Sequence, residues 1–487
     1  MRKIFSALSF LFLSLFFIQC QREVSFLDVP AFPGEVVKPD PITSAIQGNV
    51  LDENGAPAVG VTIEVGPKIT ITDSKGYFRI NDASLDKKSA LVTASKPGYF
   101  DAYRTFAATS GANQVVIKLI KKTLAGTIDA TTGGEVTLSN GSKVALPANG
   151  VVNAATSAAY TGQVNVYAAY IDPSAADIAQ TVPGSFMAND NDGKRRVLTS
   201  YGMMAVELEA ASGEKLQIKS GSKAKLTTAI PANAQSSSPS TIALWNVDET
   251  TGIWKREGAA TKNGNAYVGD VSHFSIWSTD TVQTSGQISA TLKLSSGQPF
   301  VYGHVRVRQP SSGWNYVAYG YTDTLGQVNL WVPFNVPLVL ETLDPCGLPM
   351  FSQNIGPFTQ NTNLGDVILT NTAGTVARVK GKLVDCNNAP VTNGVAIVYL
   401  GNFVQFVNTN GAGEFETNFT RCANSPGNFE IVGIDETAQQ QTTVPVTVPV
   451  TSPLTDAGSI SACGASATEY INYTLDGASF NLTSPVD

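Results

Sequence analysis

A turn-rich motif occurs three times along this chain, and it constrains the fold more than any other feature. Each copy has a Gly-x-Pro or Asn-x-Pro turn, a Gly-Val or Gly-x-Val step, and then Thr-(Asp/Asn)-x-x-Gly-x-(Phe/Val). The copies are Gly55–Phe78, Gly297–Val328 and Asn388–Phe415. A recurrence of this kind indicates that one supersecondary unit is used several times. It specifies turns between strands and does not by itself identify a ligand.

The composition favours short strands joined by turns. The 487 residues include 43 Gly and 25 Pro, and only 15% are charged. Period-two alternation recurs and long helical periodicity is scarce, so we predict an all-β fold of tandem β-sandwich modules. The net charge of -7 gives no basic surface for a nucleic-acid partner, and we expect none.

The N-terminus has the pattern of an export signal. Arg2 and Lys3 precede an apolar run over 4–18, which is shorter than the roughly 20 residues that a membrane-spanning helix needs. Cys20 follows this run, and the segment resembles a bacterial lipoprotein signal, although Ile18 and Gln19 replace the usual small residues. The resemblance implies cleavage before Cys20 and acylation of that cysteine. The alternative is an ordinary secretory signal followed by an incidental cysteine.

The lipoprotein resemblance divides the first part of the chain into a signal peptide over 1–19 and a lipid-anchored tether over 20–43. Four prolines in the tether favour an extended spacer: Pro30, Pro33, Pro39 and Pro41. We therefore predict a protein of the cell envelope that is attached to the outer membrane by its lipid. The sequence leaves open whether it faces the surface or the periplasm.

Four cysteines remain after Cys20, and all lie in the C-terminal third: Cys346, Cys386, Cys422 and Cys463. An even number of cysteines in an exported chain favours two structural disulfides, with three pairings equally open. Free buried thiols are the alternative. Because the chain has no Cys-x-x-Cys and only two histidines, His273 and His304, we expect neither a metal site nor a cofactor.

The first repeat, over 44–122, carries five short motifs, three of which belong to the shared one. They are Gly48-x-Val50, Gly55-x-Pro57, Gly60-Val61, the Thr72-Asp73 turn and Lys96-Pro97-Gly98-Tyr99. With these motifs the stretch resembles the carboxypeptidase regulatory-like domain, which implies a seven-stranded β-sandwich of transthyretin-like form. That domain is an appendage of peptidases without the catalytic zinc, and nothing in this chain matches His-Glu-x-x-His.

The middle domain, over 123–280, has a different pattern. From Gly133 to Trp277 it resembles the extracellular domain of cartilage intermediate layer proteins. Within it, His273 lies on an alternating strand, and we interpret it as a structural residue rather than a catalytic base. Asp190–Gly193 begins like a calcium loop, but Tyr201 stands where an EF-hand has its glutamate, so we predict a polar turn.

The second repeat, over 281–375, carries an insertion with four aromatic residues: Trp314, Tyr316, Tyr319 and Tyr321. Strand alternation puts the first two on one face and the last two on the other. If one pair is buried in the core and the other shields the sheet, the four residues have a structural role. If the rings are exposed, they form a platform for sugar or protein ligands. These four residues are the candidate ligand-binding set.

The third repeat, over 376–465, contains three of the four C-terminal cysteines. The last segment, 466–487, is predicted to be a C-terminal hairpin or the start of an incomplete module.

These patterns predict a non-catalytic cell-envelope lipoprotein whose β-sandwich modules serve adhesion, structure or protein binding. The alternative is a carbohydrate-binding surface lipoprotein that captures glycans. We expect no enzyme, since no acid and base pair occurs at a catalytic spacing and no serine lies in a Gly-x-Ser-x-Gly elbow.

Overall fold

The computed structural model describes residues 37–310, 317–370 and 375–467, and the backbone of the short strands 473–475 and 478–480. This part of the chain is built almost entirely of β-strands, which confirms the predicted fold class. It belongs to one compact unit, Gly34–Asp487. None of its helices has the length and apolar character needed to cross a membrane.

The first repeat has seven strands: β1 (Pro41–Leu51), β2 (Thr62–Val65), β3 (Lys68–Ile71), β4 (Tyr77–Asp86), β5 (Ala90–Ser95), β6 (Ala102–Phe106) and β7 (Asn113–Lys118). They form a three-stranded sheet, β4-β1-β7, and a four-stranded sheet, β3-β2-β5-β6. Alternate side chains of both sheets, including Ile63, Val92 and Ile117, are buried between them. The repeat is therefore a β-sandwich.

The middle domain has twelve strands and two single helical turns: β8 (Leu124–Asp129), β9 (Gly134–Thr137), β10 (Lys143–Leu146), β11 (Val151–Asn153), β12 (Gln163–Ile171), α1 (Ile178–Thr181), β13 (Met187–Asn189), β14 (Arg195–Ala210), β15 (Lys215–Ile218), β16 (Ala224–Ala229), the 3-10 turn Ala232–Ala234, β17 (Thr241–Asp248), β18 (Ile253–Asn263) and β19 (Ala266–Val271). Trp245, Trp254 and Trp277 are almost completely buried in its cores. These indole rings supply much of the apolar area that stabilises the domain.

The second repeat follows with β20 (Ile276–Leu294), β21 (His304–Arg308), β22 (Ala318–Tyr321), β23 (Gln327–Pro333), β24 (Leu338–Leu343), β25 (Pro349–Ile355) and β26 (Thr362–Leu369). The third repeat has β27 (Val376–Val384), β28 (Gly394–Leu400), β29 (Phe403–Asn408), β30 (Glu414–Thr420), β31 (Asn428–Asp435), β32 (Gln440–Thr442), β33 (Val446–Pro449), β34 (Thr455–Ser461) and β35 (Gly464–Ser466). In the final segment, β36 (Tyr473–Leu475) pairs antiparallel with β37 (Ala478–Phe480).

Strand β20 joins the middle domain to the second repeat without a linker. Over Ile276–Thr284 it pairs with β14 and β17, and over Ser285–Leu294 it pairs with β23 and β26. The sequence placed a domain boundary between 280 and 281, which falls inside this 19-residue strand. Backbone hydrogen bonds on both sides of that point hold the two modules together.

All three copies of the motif have the same strand arrangement. The first strand of each copy is antiparallel to one neighbour and parallel to a strand near the C-terminal end of the same repeat. β1 has these relations to β4 and β7, the second half of β20 to β23 and β26, and β27 to β30 and β34. The recurrence in the sequence is therefore a recurrence in structure.

The same hydrogen bonds form in the motif's Thr-(Asp/Asn)-x-x-Gly turn in every copy. In the first copy, the Asp73 side chain accepts hydrogen bonds from the backbone N–H groups of Lys75 and Tyr77. Asp323 and Asn410 accept equivalent bonds from the residues two and four positions later. A side-chain oxygen at this position thus replaces a backbone acceptor and fixes the turn.

The glycine of the turn meets two constraints at once. Its φ angle is +68° at Gly76, +75° at Gly326 and +76° at Gly413. An added Cβ would lie 2.4, 2.4 and 2.8 Å, respectively, from a carbonyl oxygen of the first strand. Positive φ and this close backbone approach both favour a residue without a side chain.

The β4-β1-β7 sheet of the first repeat packs against the third repeat. Tyr77 is buried in a cluster with Ile397, Tyr399 and neighbouring apolar residues, and its ring stacks on Phe406 at 6.1 Å. The Gln47 amide donates a hydrogen bond of 3.2 Å to the Val404 carbonyl. The outer face of this sheet is therefore an interface between modules.

The first repeat also contacts the second repeat. The Asp323 carboxylate accepts a hydrogen bond of 2.8 Å from the Gly111 N–H, and the Trp331 indole donates one of 3.0 Å to the Lys88 carbonyl. Both acceptors and both donors belong to turns or strands at the edges of the sandwiches. The three repeats and the middle domain thus form one packed body within the described residues.

The close approach at Gly76 is tested by a matched pair of alanine substitutions. Gly60 has φ of +70° and nothing within 4 Å of an added Cβ, so Gly60→Ala imposes only the left-handed backbone cost of roughly 1–2 kcal/mol. Gly76→Ala adds the clash with the Val50 carbonyl, which we expect to cost about 1–3 kcal/mol more. Urea unfolding of both variants measures the difference, and equal losses would contradict the account.

Candidate ligand-binding cleft

A cleft of about 600 Å³ opens where the three repeats and the middle domain meet. Its volume lies within the range of about 300–1,000 Å³ that is usual for ligand pockets. The wall residues that the following paragraphs use are Asn49, Gln114, Asp177, Gln180, His304, Tyr321, Asp344, Cys346, Asn402, Phe403, Val404, Cys422 and Asn424. Each of the four modules contributes to this set, so the cleft exists only when they are assembled.

Aromatic rings of two repeats line the cleft. His304 on β21 and Tyr321 on β22 are directly opposite in the antiparallel register, and their rings stack at 4.9 Å with an angle of 19°. Phe403 begins β29 after a tight β28–β29 turn, and 42% of its surface is exposed. An apolar ring this exposed in a cleft wall offers a contact surface to a ligand.

His304 is neutral in this environment. Burial lowers its pKa to about 4, and the positive charges of Arg306 and Arg104 lower the pKa further. Because the ordinary value is near 6.5, the imidazole carries no charge at neutral pH. The Tyr321–His304 stack is therefore an uncharged aromatic surface.

The polar part of the wall is dominated by amides. Gln114, Gln180, Asn402 and Asn424 all border the cleft, and an amide side chain offers both donors and acceptors. No lysine or arginine is among the described residues of the wall.

Both carboxylates in the described wall already have partners. Asp177 forms an ion pair of 2.8 Å with Lys118, and Asp344 accepts hydrogen bonds of 2.9 Å from the N–H groups of Cys346 and Leu348. Both carboxylates are therefore engaged in structural contacts, and neither is positioned to act as a general acid or base. The cleft is thus suited to binding an uncharged polar molecule with an apolar face.

A disulfide crosses the wall of the cleft. Cys346 of the second repeat is bonded to Cys422 of the third, with Cα atoms 6.1 Å apart. The other disulfide, Cys386–Cys463, lies within the third repeat, with Cα atoms 5.3 Å apart. The two expected disulfides are present, and the structure selects one of the three pairings that the sequence left open.

Of the four aromatic candidates from the sequence, Tyr321 lines the cleft. Tyr319 instead packs between modules: its hydroxyl contacts the Arg104 guanidinium, and its ring meets the edge of Phe186 at 6.3 Å. Trp314 and Tyr316 lie outside the described residues, as does the candidate lipidation residue Cys20.

The other residues singled out in the sequence lie in the middle domain, away from the cleft. His273 has its Nε2 3.2 Å from a Glu257 carboxylate oxygen, and its ring is tilted against Trp277. The Asp190–Gly193 segment is a turn closed by a 2.8 Å hydrogen bond from the Gly193 N–H to the Asp190 carbonyl. Over the described ranges, no three His, Cys, Asp or Glu side chains are grouped to hold a metal ion.

Sequence reasoning missed most of the cleft. Phe403, Asn402 and Gln180 carried no motif, and their proximity to Tyr321 follows from packing between distant modules. The one available signal was the aromatic insertion of the second repeat, which contains Tyr321.

Comparison with known proteins gives limited support to the resemblance to cartilage intermediate layer proteins. No family model matches the chain. A stretch of 161 residues is 29% identical to cartilage intermediate layer protein 2 of Mus musculus, covering 30% of this chain and 13% of that protein. The chain thus spans only a small part of that relative's length.

Solved structures with similarity to the chain include a pilin and a DUF3823 family protein, and both are distant. The shaft pilin SpaA of Lactobacillus rhamnosus GG covers 37% of this chain and 98% of its own, at 9% identity and a TM-score of 0.20. A DUF3823 family protein of Parabacteroides merdae covers 34% and 98%, at 8% identity and a TM-score of 0.17. At TM-scores this low, neither match carries an argument about function.

The cleft disulfide can be tested against a matched control in the same protein. Cys346–Cys422 and Cys386–Cys463 have sequence separations of 76 and 77. Removing either disulfide therefore increases the entropy of the unfolded chain by the same amount and lowers the free energy of unfolding by about 4 kcal/mol. Only the first bridges the cleft. We expect hydrogen exchange at 400–405 to rise in Cys346→Ser/Cys422→Ser and to stay near wild type in Cys386→Ser/Cys463→Ser. An equal rise in both would contradict a local role.

Proposed function

We propose that this protein is a non-catalytic binding scaffold of the bacterial cell envelope, attached to the outer membrane by a lipid on Cys20. The observation that carries the proposal is the cleft formed jointly by the three repeats and the middle domain. Its main walls belong to strands and turns held by packed sheets. Walls that are ordered before a ligand arrives reduce the entropy lost on binding.

The contacts between modules support a preformed site. The Asn49 amide of the first repeat donates a hydrogen bond of 2.9 Å to the Asn402 carbonyl of the third. The Cys346–Cys422 bond fixes the second repeat to the third at the same cleft. These links oppose a hinge motion that would open or close the cleft, so the site suits recognition of a ligand rather than a catalytic cycle with a lid.

The chemistry of the wall supports a role without catalysis. Acid–base catalysis needs groups that exchange a proton near the working pH. The pKa of His304 is lowered to about 4, and Asp177 and Asp344 are engaged by Lys118 and by a turn. In the described part of the wall, these are the histidine and the carboxylates available.

We further infer that the three repeats are carboxypeptidase regulatory-like modules and that the middle domain is related to the cartilage intermediate layer protein domain. The common strand arrangement of the repeats supports the first assignment. The second draws on the 29% identity of 161 residues of the chain to cartilage intermediate layer protein 2. Such modules give the scaffold an adhesive, structural or protein-binding role. Capture of a carbohydrate is the second candidate, and the residues in the cleft favour it.

The anchor is tested by substituting the cysteine that would carry it. Wild-type protein should sediment with outer membranes and take up a clickable palmitate analogue. Cys20→Ser should appear in the soluble fraction without label, because the acyl chains would supply most of the membrane affinity at about 0.8 kcal/mol per buried methylene. Cys463→Ser is the matched control and should stay in the membrane. Retention of Cys20→Ser in the membrane would refute lipidation at that residue.

A further inference from the structure

We propose that the cleft between the four modules binds a neutral oligosaccharide. This inference rests on the proposed binding role and specifies the class of ligand. It follows from three properties of the described wall: where its aromatic rings lie, which charges it lacks, and which strand edge near it is already occupied.

The aromatic rings provide two contact surfaces from different repeats. The Tyr321–His304 stack comes from the second repeat, and Phe403 comes from the third. Each sugar ring has a face of C–H groups that packs against an aromatic ring, while its hydroxyls stay at the periphery. Rings on two walls therefore suit a chain of sugars that contacts the protein at more than one unit.

The polar groups match hydroxyls rather than anions. Gln114, Gln180, Asn402 and Asn424 can each donate and accept, as a hydroxyl group does. Anion recognition in proteins relies on arginine and lysine, and the described wall has neither. His304 adds no positive charge, because its pKa lies near 4. Phosphorylated, sulfated and uronate ligands are thus disfavoured relative to neutral sugars.

A peptide is disfavoured by the edge of the sheet that reaches the cleft. β29 is the edge strand of the third repeat's larger sheet, and an extended peptide would bind there by adding a strand. The Asn402 and Val404 carbonyls at that edge already accept hydrogen bonds from Asn49 and Gln47 of the first repeat. The first repeat therefore occupies the positions that strand addition would use.

The test uses the detergent-solubilised full-length protein and three sets of probes. They are neutral oligosaccharides of two to six hexose or N-acetylhexosamine units, the sulfated and uronate equivalents, and a library of random peptides. We expect retention of at least one neutral oligosaccharide, and at least tenfold weaker binding of its charged equivalents.

Two variants locate the site, and a third is the control. Tyr321→Ala and Phe403→Ala should each weaken binding of the retained oligosaccharide at least tenfold. Phe403 is 42% exposed, so its variant remains informative if Tyr321→Ala does not fold. Tyr160→Ala removes a half-buried tyrosine of the middle domain that does not border the cleft, and it should bind like wild type.

The outcomes separate this inference from the broader proposal. Peptide binding that Phe403→Ala weakens, with no oligosaccharide retained, would overturn the sugar assignment and leave the binding role standing. Failure to retain any probe would overturn both. Oligosaccharide binding that neither Tyr321→Ala nor Phe403→Ala weakens would overturn the placement in this cleft.

Discussion

The assembly depends on the buried amide of Gln47. Its Nε2 donates to the Gln114 side chain at 3.1 Å and to the Val404 carbonyl at 3.2 Å. Its Oε1 accepts from the Tyr77 hydroxyl and from the Arg79 guanidinium. A buried amide is costly unless its hydrogen bonds are made, and here the Nε2 bond to the Val404 carbonyl is made only with the third repeat in place.

That contact joins residues 357 positions apart in the sequence, and it closes the chain on itself. The first and third repeats then enclose one side of the cleft, while the second repeat is held by the Cys346–Cys422 bond and by continuity through β20. The proposed export would take the chain through compartments where disulfides persist, which is consistent with a covalent link at this position. The cleft is a product of these long-range links and of no single module.

The sequence was sufficient to predict what depends on local chemistry. The turn at Asp73 recurs at Asp323 and Asn410 because a short side-chain acceptor followed by a glycine favours one geometry wherever it occurs. Period-two alternation likewise predicted the sandwiches. These features need only residues that are close in the sequence.

The remaining features depend on which faces meet, and alternation does not encode that. Tyr77 belongs to an alternating strand, but nothing local indicates that Phe406 lies against it. Tyr319 and Tyr321 were predicted to share a face, but alternation does not indicate that Tyr319 packs between modules while Tyr321 borders the cleft. The predicted boundary between 280 and 281 lies inside β20, because pairing with distant strands on both sides makes this segment one continuous strand.

Zero-length cross-linking tests the packing of the first repeat on the third most directly. The Lys75 ammonium lies 3.8 Å from the Glu430 carboxylate across that interface, and both side chains are accessible. Carbodiimide treatment and peptide mass spectrometry should reveal a Lys75–Glu430 amide, alongside the Lys143–Glu135 amide expected within the middle domain at 2.8 Å. Recovery of the Lys143–Glu135 product without the Lys75–Glu430 product would contradict the assembled structure.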